Sequence, residues 1–261
     1  MTGFVNRVQE QVRAQIQNNE IILPSLPEVA FKVMKVAGDP YATIIDLANV
    51  ISNDISLSVN LIKLINGPVY RRDHFVADVQ TAVSLLGMTY SSNLAVGLAL
   101  KQLFQSSSQF INEKMNVVWE QSLNIAERAT ALAINSNLRP DLATLAGLVH
   151  QIGTLPLFSY AETDPDIARN ETALDTLISE LHTELGSLIL SKWGFPSELI
   201  FVPRDYLKFD REVPDPDYVD LVLIATLQNS IDTNKLYSNY DWSHISAFER
   251  LGLAPYILNE K

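Results

Sequence analysis

Apolar residues recur three and four positions apart along most of this chain, and that spacing predicts an all-α protein. After Pro27, for example, Val29 and Val33 would share one helix face, and Gly38 followed by Pro40 would end that helix. No stretch shows the alternation typical of a strand, and the sequence contains no repeat of fixed period. The pattern therefore predicts helices joined by tight turns.

Short polar residues stand just before several apolar stretches, where they can cap the starts of helices. Thr43, followed three residues later by Asp46, matches a variant of the capping box, in which each side chain bonds a backbone N–H at the other position. Asp54 and Asp78 precede the next two stretches and are predicted N-caps. With a further helix at residues 89–104, the first half would form a compact bundle of short helices.

A serine-rich segment, Gln105–Asn112, follows this bundle and is the candidate domain boundary. It divides the chain into an N-terminal bundle of residues 1–106 and a C-terminal bundle of residues 107–261. In the second half, a helix is predicted at residues 115–136, with a face of mostly small side chains. Small side chains allow another helix to approach closely.

The two ends of the chain give weaker patterns. Residues 2–18 predict an amphipathic helix, and residues 172–193 predict a long helix that Gly194 ends. The proline-rich, charged stretch 203–217 is predicted to be a surface loop. A short helix is expected at residues 244–251, although the pattern leaves open whether the last forty residues complete the bundle or form a contact arm.

Composition narrows the class of protein. The 261 residues are 47% hydrophobic and 19% charged, as in ordinary globular proteins, and the absence of cysteine excludes disulfides, cysteine-bound zinc and thiol catalysis. A net charge of -11 with scattered basic residues disfavours nucleic-acid binding. Apolar runs such as Leu94–Leu100 are much shorter than a membrane-spanning helix, and the N-terminus lacks the apolar core of a secretory signal. We therefore predict a cytoplasmic protein with no nucleic-acid or membrane partner.

Residues 142–160, LATLAGLVHQIGTLPLFSY, contain the most informative turn in the chain. An apolar helix leads into His150 and Gln151, and Gly153 is expected to close that helix by adopting a positive φ. In phosphohydrolases with a His-Asp signature, this turn reads His-Asp-Ile-Gly and its first two residues are metal ligands. The neutral amide of Gln151 is a poor substitute for a carboxylate at a divalent cation.

Ordered motifs along the chain resemble one known family. They are LPSLPEVAFKVMKVAGDP, LANVISNDISLSVNLIKLIN, VQTAVSLLGM, VVWEQSLNIA, LAGLVHQIGTLPL and LHTELGSLILSKWGFP. Together they are similar to the HDOD domain, a degenerate relative of the His-Asp metal-dependent phosphohydrolase superfamily, over about residues 20–205. The resemblance implies an all-α fold of two packed bundles, the second built on the phosphohydrolase scaffold. It also implies a regulatory domain of bacterial signalling that usually lacks a complete metal site.

Compared residue by residue, the ligand positions of the hydrolases are mostly lost. Gln121 stands where those enzymes often have a histidine, and Gln228 and Asn229 stand where their last aspartate would be sought. His150 and His182 remain, with Glu184 a possible neighbour. A two-metal phosphoesterase site needs more ligands than these, so we predict no metal site, no cofactor and no catalytic residue.

The surviving polar residues have a structural and a functional interpretation. His150 could hydrogen-bond a carbonyl group or the Gln121 amide inside the core, and His182 could make a similar structural bond. The functional hypothesis is that Gln121, His150, Gln151 and His182 line a residual pocket that holds a small ligand.

Arg71 and Arg72 follow a helix end and are expected on a loop. Two adjacent cations could bind an anion or a carboxylate of a partner protein. Solvated charges at a turn are the simpler explanation.

These observations predict a non-catalytic regulatory protein of bacterial signal transduction that binds another protein. Its acidic surface favours a partner with basic patches and predicts weaker association as the salt concentration rises. Two alternatives remain at this point: a metal-dependent phosphohydrolase or phosphodiesterase with an atypical site, and a sensor of a nucleotide or another small anion.

Overall fold

The computed structural model describes residues 22–68, 74–164, 167, 170–233 and 241–255, together with residues 10, 12, 14 and 18. Within these residues the chain is helical and contains no strand, which confirms the predicted fold class. Most of the predicted helix at residues 2–18 lies outside the described residues, as do Arg71 and Arg72.

The N-terminal half contains five α-helices in its described part, followed by a short 3₁₀ helix at Leu100–Leu103. The α-helices are α1 (Glu28–Ala37), α2 (Ile44–Ser52), α3 (Ile55–Ile65), α4 (Val79–Leu86) and α5 (Met88–Ala99). The capping box at α2 is confirmed, because the Thr43 backbone donates to Asp46 and the Asp46 backbone donates to Thr43. Asp54 and Asp78 cap α3 and α4 as predicted.

The C-terminal half begins with the longest of its described helices, which a ten-residue helix follows in antiparallel packing. In its described residues the helices are α6 (Gln109–Ile134), α7 (Pro140–Val149), α8 (Thr154–Thr163), α9 (Glu171–Lys192), α10 (Ser197–Ile200), α11 (Val202–Asp205), α12 (Tyr218–Asp232) and α13 (Ser246–Arg250). Helix α6 starts earlier than predicted because the Ser108 hydroxyl accepts a hydrogen bond from the Ile111 backbone. Part of the candidate boundary segment is therefore helical.

Helix α5 connects the two halves. It packs on α1 and α3 on one side and on α7 on the other, with Gly97 lying against Leu145 and Leu148. At the other end of this contact, the Asn93 amide donates to the buried carboxylate of Asp141 at 2.7 Å. The buried apolar side chains form one continuous cluster across both halves, and the division at residue 106 stays a prediction.

Two further contacts join distant parts of the sequence. The indole of Trp193, at the end of α9, donates to the Pro24 carbonyl at 3.0 Å. Arg211 and Arg250 both donate to the fully buried carboxylate of Asp220, at 2.7 Å. The second contact fixes α13 against α12, so this described part of the last forty residues is packed on the bundle.

The stretch Pro140–Thr163 is long and apolar enough to cross a membrane, but 89% of its most apolar part is buried inside the protein. Burial of this kind is expected of core helices, and α7 and α8 form the centre of the C-terminal half. The cytoplasmic location stays a prediction.

Candidate functional site

Close contact between α6 and α7 sets the position of His150. A Cβ atom on Gly147 would lie 2.3 Å from the Cα of Ala126, so only glycine allows the two backbones to come this close. One turn away, the hydroxyls of Thr130 and Thr144 lie 2.6 Å apart in a buried hydrogen bond. These two contacts fix the antiparallel register of the helices and place His150 opposite the Ser122 region of α6.

The backbone of Gly153, in the turn after His150, does not have the predicted conformation. Its φ is -68°, so the expected positive φ is wrong. Glycine is needed here for space instead, because a Cβ atom would lie 1.9 Å from the His182 carbonyl oxygen and 2.4 Å from the Gly186 nitrogen. The turn between α7 and α8 thus touches the backbone of α9, which brings the two predicted histidines to the same region.

His150 is buried, with 1% of its surface exposed. Its Nδ1 lies 2.7 Å from the Gly147 carbonyl oxygen. Because a carbonyl only accepts, Nδ1 must carry the proton and Nε2 must present a lone pair. Burial, with a smaller contribution from His182, lowers the pKa of His150 to about 4, so the ring is neutral near pH 7. The predicted carbonyl bond is confirmed, and no described residue bonds Nε2.

His182 has both ring nitrogens engaged. Nδ1 donates to the Ile178 carbonyl one turn earlier in α9, and Nε2 accepts a hydrogen bond from the Tyr206 hydroxyl at 2.8 Å. Burial lowers the pKa of His182 as well. The Tyr206 hydroxyl therefore occupies His182 Nε2, the nitrogen that a metal ion would need.

Tyr206 is the residue that sequence reasoning missed. Its ring packs edge-on against both histidines, with centroid distances of 4.9 Å to His150 and 5.9 Å to His182. The prediction of a surface loop is wrong for the start of 203–217, because Pro203 lies in α11 and Tyr206 is 3% exposed. The prolines and charges that follow in this stretch dominated the prediction, although the aromatic residue was a signal of burial.

The other predicted pocket residues are less buried than the two histidines. Gln121 and Gln151 are partly exposed, and Glu184 is exposed, so it does not join the histidines. Among the described residues, no group of three or more histidine, aspartate or glutamate side chains could hold a metal ion. The side chains around His150 therefore do not fit the metal centre of a phosphohydrolase.

Three buried polar atoms on α6 and at the end of α7 lack a hydrogen-bond partner among the described residues: His150 Nε2, Ser122 Oγ and Trp119 Nε1. Ser122 and Trp119 are three residues apart on α6 and share one face, which the register sets opposite the end of α7. One atom is an acceptor, one is a donor, and the hydroxyl can do either. Each of these groups has the chemistry to hydrogen-bond a small uncharged polar molecule.

The buried carboxylate of α12 stabilises helix packing. Gln228 and Asn229 lie at the positions where the last aspartate was sought, whereas the buried aspartate of this helix, Asp220, lies about two turns earlier. Its two oxygens are taken by Arg211 and Arg250. Asp220 is thus part of the helix packing.

These features define a class of protein: an all-helical fold that resembles the phosphohydrolase scaffold and contains two buried histidines. The profile of the HDOD domain matches residues 23–205, and the chain belongs to the HDOD domain family. This confirms the resemblance found in the sequence.

Solved structures support the same fold. A Shewanella amazonensis SB2B protein, described as a candidate metal-dependent phosphohydrolase, is 26% identical with a TM-score of 0.83, and the match covers 94% of this chain and 88% of that one. A Geobacter sulfurreducens HDOD domain protein of unknown function is 18% identical with a TM-score of 0.64, covering 92% and 88% of the two chains. The second similarity concerns the fold alone.

A relative among curated proteins is an uncharacterized protein of Treponema pallidum (strain Nichols), 24% identical over 216 residues. The match covers 78% of this chain and 40% of the relative, so the chain spans well under half the length of that protein.

Proposed function

We propose that this HDOD protein is a non-catalytic regulator in bacterial signal transduction and that it acts by binding another protein. The arrangement of the two histidines carries the proposal. Tyr206 takes the lone pair of His182, and among the described residues His150 belongs to no group of three or more metal-binding side chains. A divalent cation would have to displace the tyrosine and recruit ligands from elsewhere, at the cost of a buried hydrogen bond.

The competing hypothesis of a metal-dependent phosphohydrolase has a direct test. The protein is incubated with Mn²⁺, Mg²⁺ or Zn²⁺, dialysed, analysed for bound metal and assayed on bis(p-nitrophenyl) phosphate, with His150→Ala as the control. We expect substoichiometric metal and the same background rate for both proteins. Stoichiometric metal, together with turnover that His150→Ala abolishes, would establish the hydrolase instead.

The charge distribution supports a partner with basic patches. Residues 107–261 contain 22 acidic and 11 basic residues, whereas residues 1–106 contain eight of each, so the C-terminal half carries the whole net charge of -11. A basic partner would be attracted to this half, and added salt would weaken the attraction. Affinity capture at low and high ionic strength should recover a protein whose yield falls with salt. Recovery of no protein at either ionic strength contradicts the proposal.

The three unpartnered polar atoms favour a second candidate, a sensor of a small molecule. A neutral imidazole with an open lone pair supplies no positive charge, so the region around His150 suits an uncharged polar ligand better than an anion. Calorimetric titration with nucleotides and with uncharged nucleosides, using Ser122→Ala as the matched variant, tests this function. Binding heats that Ser122→Ala removes support the sensor, and flat heats for all ligands exclude it for these compounds.

A further inference from the structure

The stretch 203–217, which we call the strap, leads from the short helix α11 to α12 and passes the two histidines. Helix α11 has four residues, and residues 207–217 belong to no described helix. A single helical turn is not stable alone, so the position of the strap depends on its contacts with neighbouring elements. Those contacts determine whether Tyr206 stays against His150 and His182.

The strap begins against α9. A Cβ atom on Gly186 would lie 2.5 Å from the Cβ of Pro203, so glycine at this position lets the strap approach the α9 backbone. Three residues later, Tyr206 donates to His182 Nε2 at 2.8 Å and packs edge-on against both imidazole rings. Tyr206 is buried itself, so its withdrawal would uncover part of each ring.

The strap is held a second time at Arg211, five positions after Tyr206. The Arg211 guanidinium donates to the buried Asp220 carboxylate of α12 at 2.7 Å. The Arg211 carbonyl oxygen accepts from two side chains of α13, the Ser246 hydroxyl at 2.9 Å and the Arg250 guanidinium at 3.3 Å. Helix α13 therefore holds the backbone of the strap directly.

Arg250 connects this contact to the core. It donates to both carboxylate oxygens of Asp220 and to the Ser246 hydroxyl, each at 2.7 Å. The side chains of Arg250 and Arg211 are 10% and 11% exposed, and that of Asp220 is fully buried. Charge-assisted bonds in such a site are strong, and loss of one partner leaves a buried charge incompletely paired. A displacement of α13 therefore disturbs both contacts of Arg211, the one with α12 and the one with α13.

We propose that α13 is a latch for the strap: when α13 leaves its place on α12, Arg211 is released, Tyr206 withdraws from His182 and the histidine pair opens to solvent. The two states are the latched strap described above and an unlatched strap in which residues 206–211 have left the bundle. Access to the open nitrogen of His150 is then controlled by a helix that begins forty positions after Tyr206 in the chain.

Histidine modification measures the opening, because diethyl pyrocarbonate carbethoxylates neutral imidazoles that solvent can reach. His74 is exposed and provides an internal standard, whereas His150 and His182 are buried. Peptide mass spectrometry gives the modification rate of each histidine separately. In the wild-type protein the buried pair should react much more slowly than His74.

Arg250→Met removes the charged side chain of the latch, and Arg128→Met is the matched control. Arg128, on α6, forms an ion pair with Asp232 at the opposite end of α12 from the latch. In Arg250→Met the rates of His150 and His182, relative to the standard, should rise about tenfold or more, because a charge-assisted hydrogen bond is worth at least that factor. Arg128→Met should keep the wild-type rates.

Ser246→Ala keeps the test decisive if Arg250→Met does not fold. It removes one donor to the Arg211 carbonyl and leaves both guanidinium groups in place, so the rate of His182 should rise by less, about threefold, as expected for one neutral hydrogen bond. An unchanged His182 rate in Ser246→Ala, or in a folded Arg250→Met, overturns the proposal.

Amide hydrogen exchange separates local opening from a general loss of stability. In both latch variants the increase in exchange rate should be larger at residues 206–211 than in α6. Equal acceleration of the strap and of α6 would show that the whole fold is weakened, and this outcome also overturns the latch.

The reverse direction provides a second test, because coupling between two sites is reciprocal. Tyr206→Phe removes the donor to His182 and should speed amide exchange in α13, at residues 246–250. Tyr41→Phe, at an exposed tyrosine, should leave the exchange of α13 unchanged. Wild-type exchange of α13 in Tyr206→Phe contradicts the coupling between latch and histidines.

Discussion

His150 is a neutral imidazole inside the protein, held by one backbone carbonyl and open at its other nitrogen. Its folded pKa of about 4 lies below the ordinary value of 6.5, so a proton binds the unfolded chain more tightly than the folded one. The stability that this neutral ring contributes is complete above pH 6.5 and is lost as the pH falls toward 4. We therefore expect the fold to lose stability in mild acid through this residue.

The first prediction concerns pH. Between pH 7 and pH 5 the free energy of unfolding should fall by about 2 kcal/mol through His150, and His182 shifts in the same direction. Urea unfolding at the two pH values measures the change, with His150→Gln as the variant that removes this titration. An equal loss of stability in His150→Gln and the wild type would show that other groups are responsible.

The second prediction concerns the phenol between the histidines. Tyr206→Phe keeps the ring but removes the donor to His182, which leaves a buried acceptor unpartnered at a cost of about 1–3 kcal/mol. Denaturant titration measures the loss. Tyr41→Phe, at a residue that is 91% exposed, is the control and should change stability very little. Equal stability of the two variants contradicts the structural role of the hydroxyl.

At the scale of single residues, the sequence predicted part of the candidate site. His150 and His182 followed from the motifs that surround them, and the carbonyl bond of His150 followed from its place at the end of an apolar helix. Tyr206 could not be placed beside them, because it lies 24 residues from His182 in the chain and only the packing of α11 on α9 brings the two together.

At the scale of helices, caps were predictable and close approaches were not. Thr43, Asp54 and Asp78 act on residues three positions away, so a local pattern is enough to identify them. Gly153 is required by the His182 carbonyl, which belongs to another helix. A glycine needed for a positive φ and one needed for space are indistinguishable in a single sequence.

The third prediction tests that close approach. Gly153→Ala would force a Cβ atom against the backbone of α9, which cannot yield as the end of a side chain can. We expect a loss of at least about 3 kcal/mol or a failure to fold, because overpacking against backbone requires helices to shift. Gly38→Ala is the control, since its nearest neighbour is 3.4 Å away, in ordinary contact. Thermal melting of both variants measures the difference in stability. Similar melting temperatures for Gly153→Ala and Gly38→Ala would contradict the close approach of Gly153 to α9.

At the scale of the whole molecule, the fold class and the family were predictable because many motifs occur in the same order. The domain boundary was predicted from composition alone, and composition does not report which contacts join the two sides of a boundary. Helix α5 packs on both halves, and Asn93 binds the buried carboxylate of Asp141 across the contact. The two bundles are therefore coupled by shared apolar packing and by a buried hydrogen bond.

The fourth prediction follows from this coupling. The two halves should unfold in one cooperative transition, because exposing either half would expose the surface of α5. Differential scanning calorimetry measures the number of transitions. Two separated transitions would support independent bundles at 1–106 and 107–261. The Asn93→Ala variant, which removes the polar link, should broaden the single transition.

The bond from Trp193 to the Pro24 carbonyl spans 169 positions of the chain. On a ribosome that adds about 5–20 residues per second, the segment around Pro24 waits roughly ten to thirty seconds before its indole anchor has been synthesised. During that interval the Pro24 carbonyl lacks the indole that is its hydrogen-bond donor in the folded protein. The segment around Pro24 is thus synthesised early and completes its native contacts late, and a nascent chain cut short before Trp193 would leave it without this anchor.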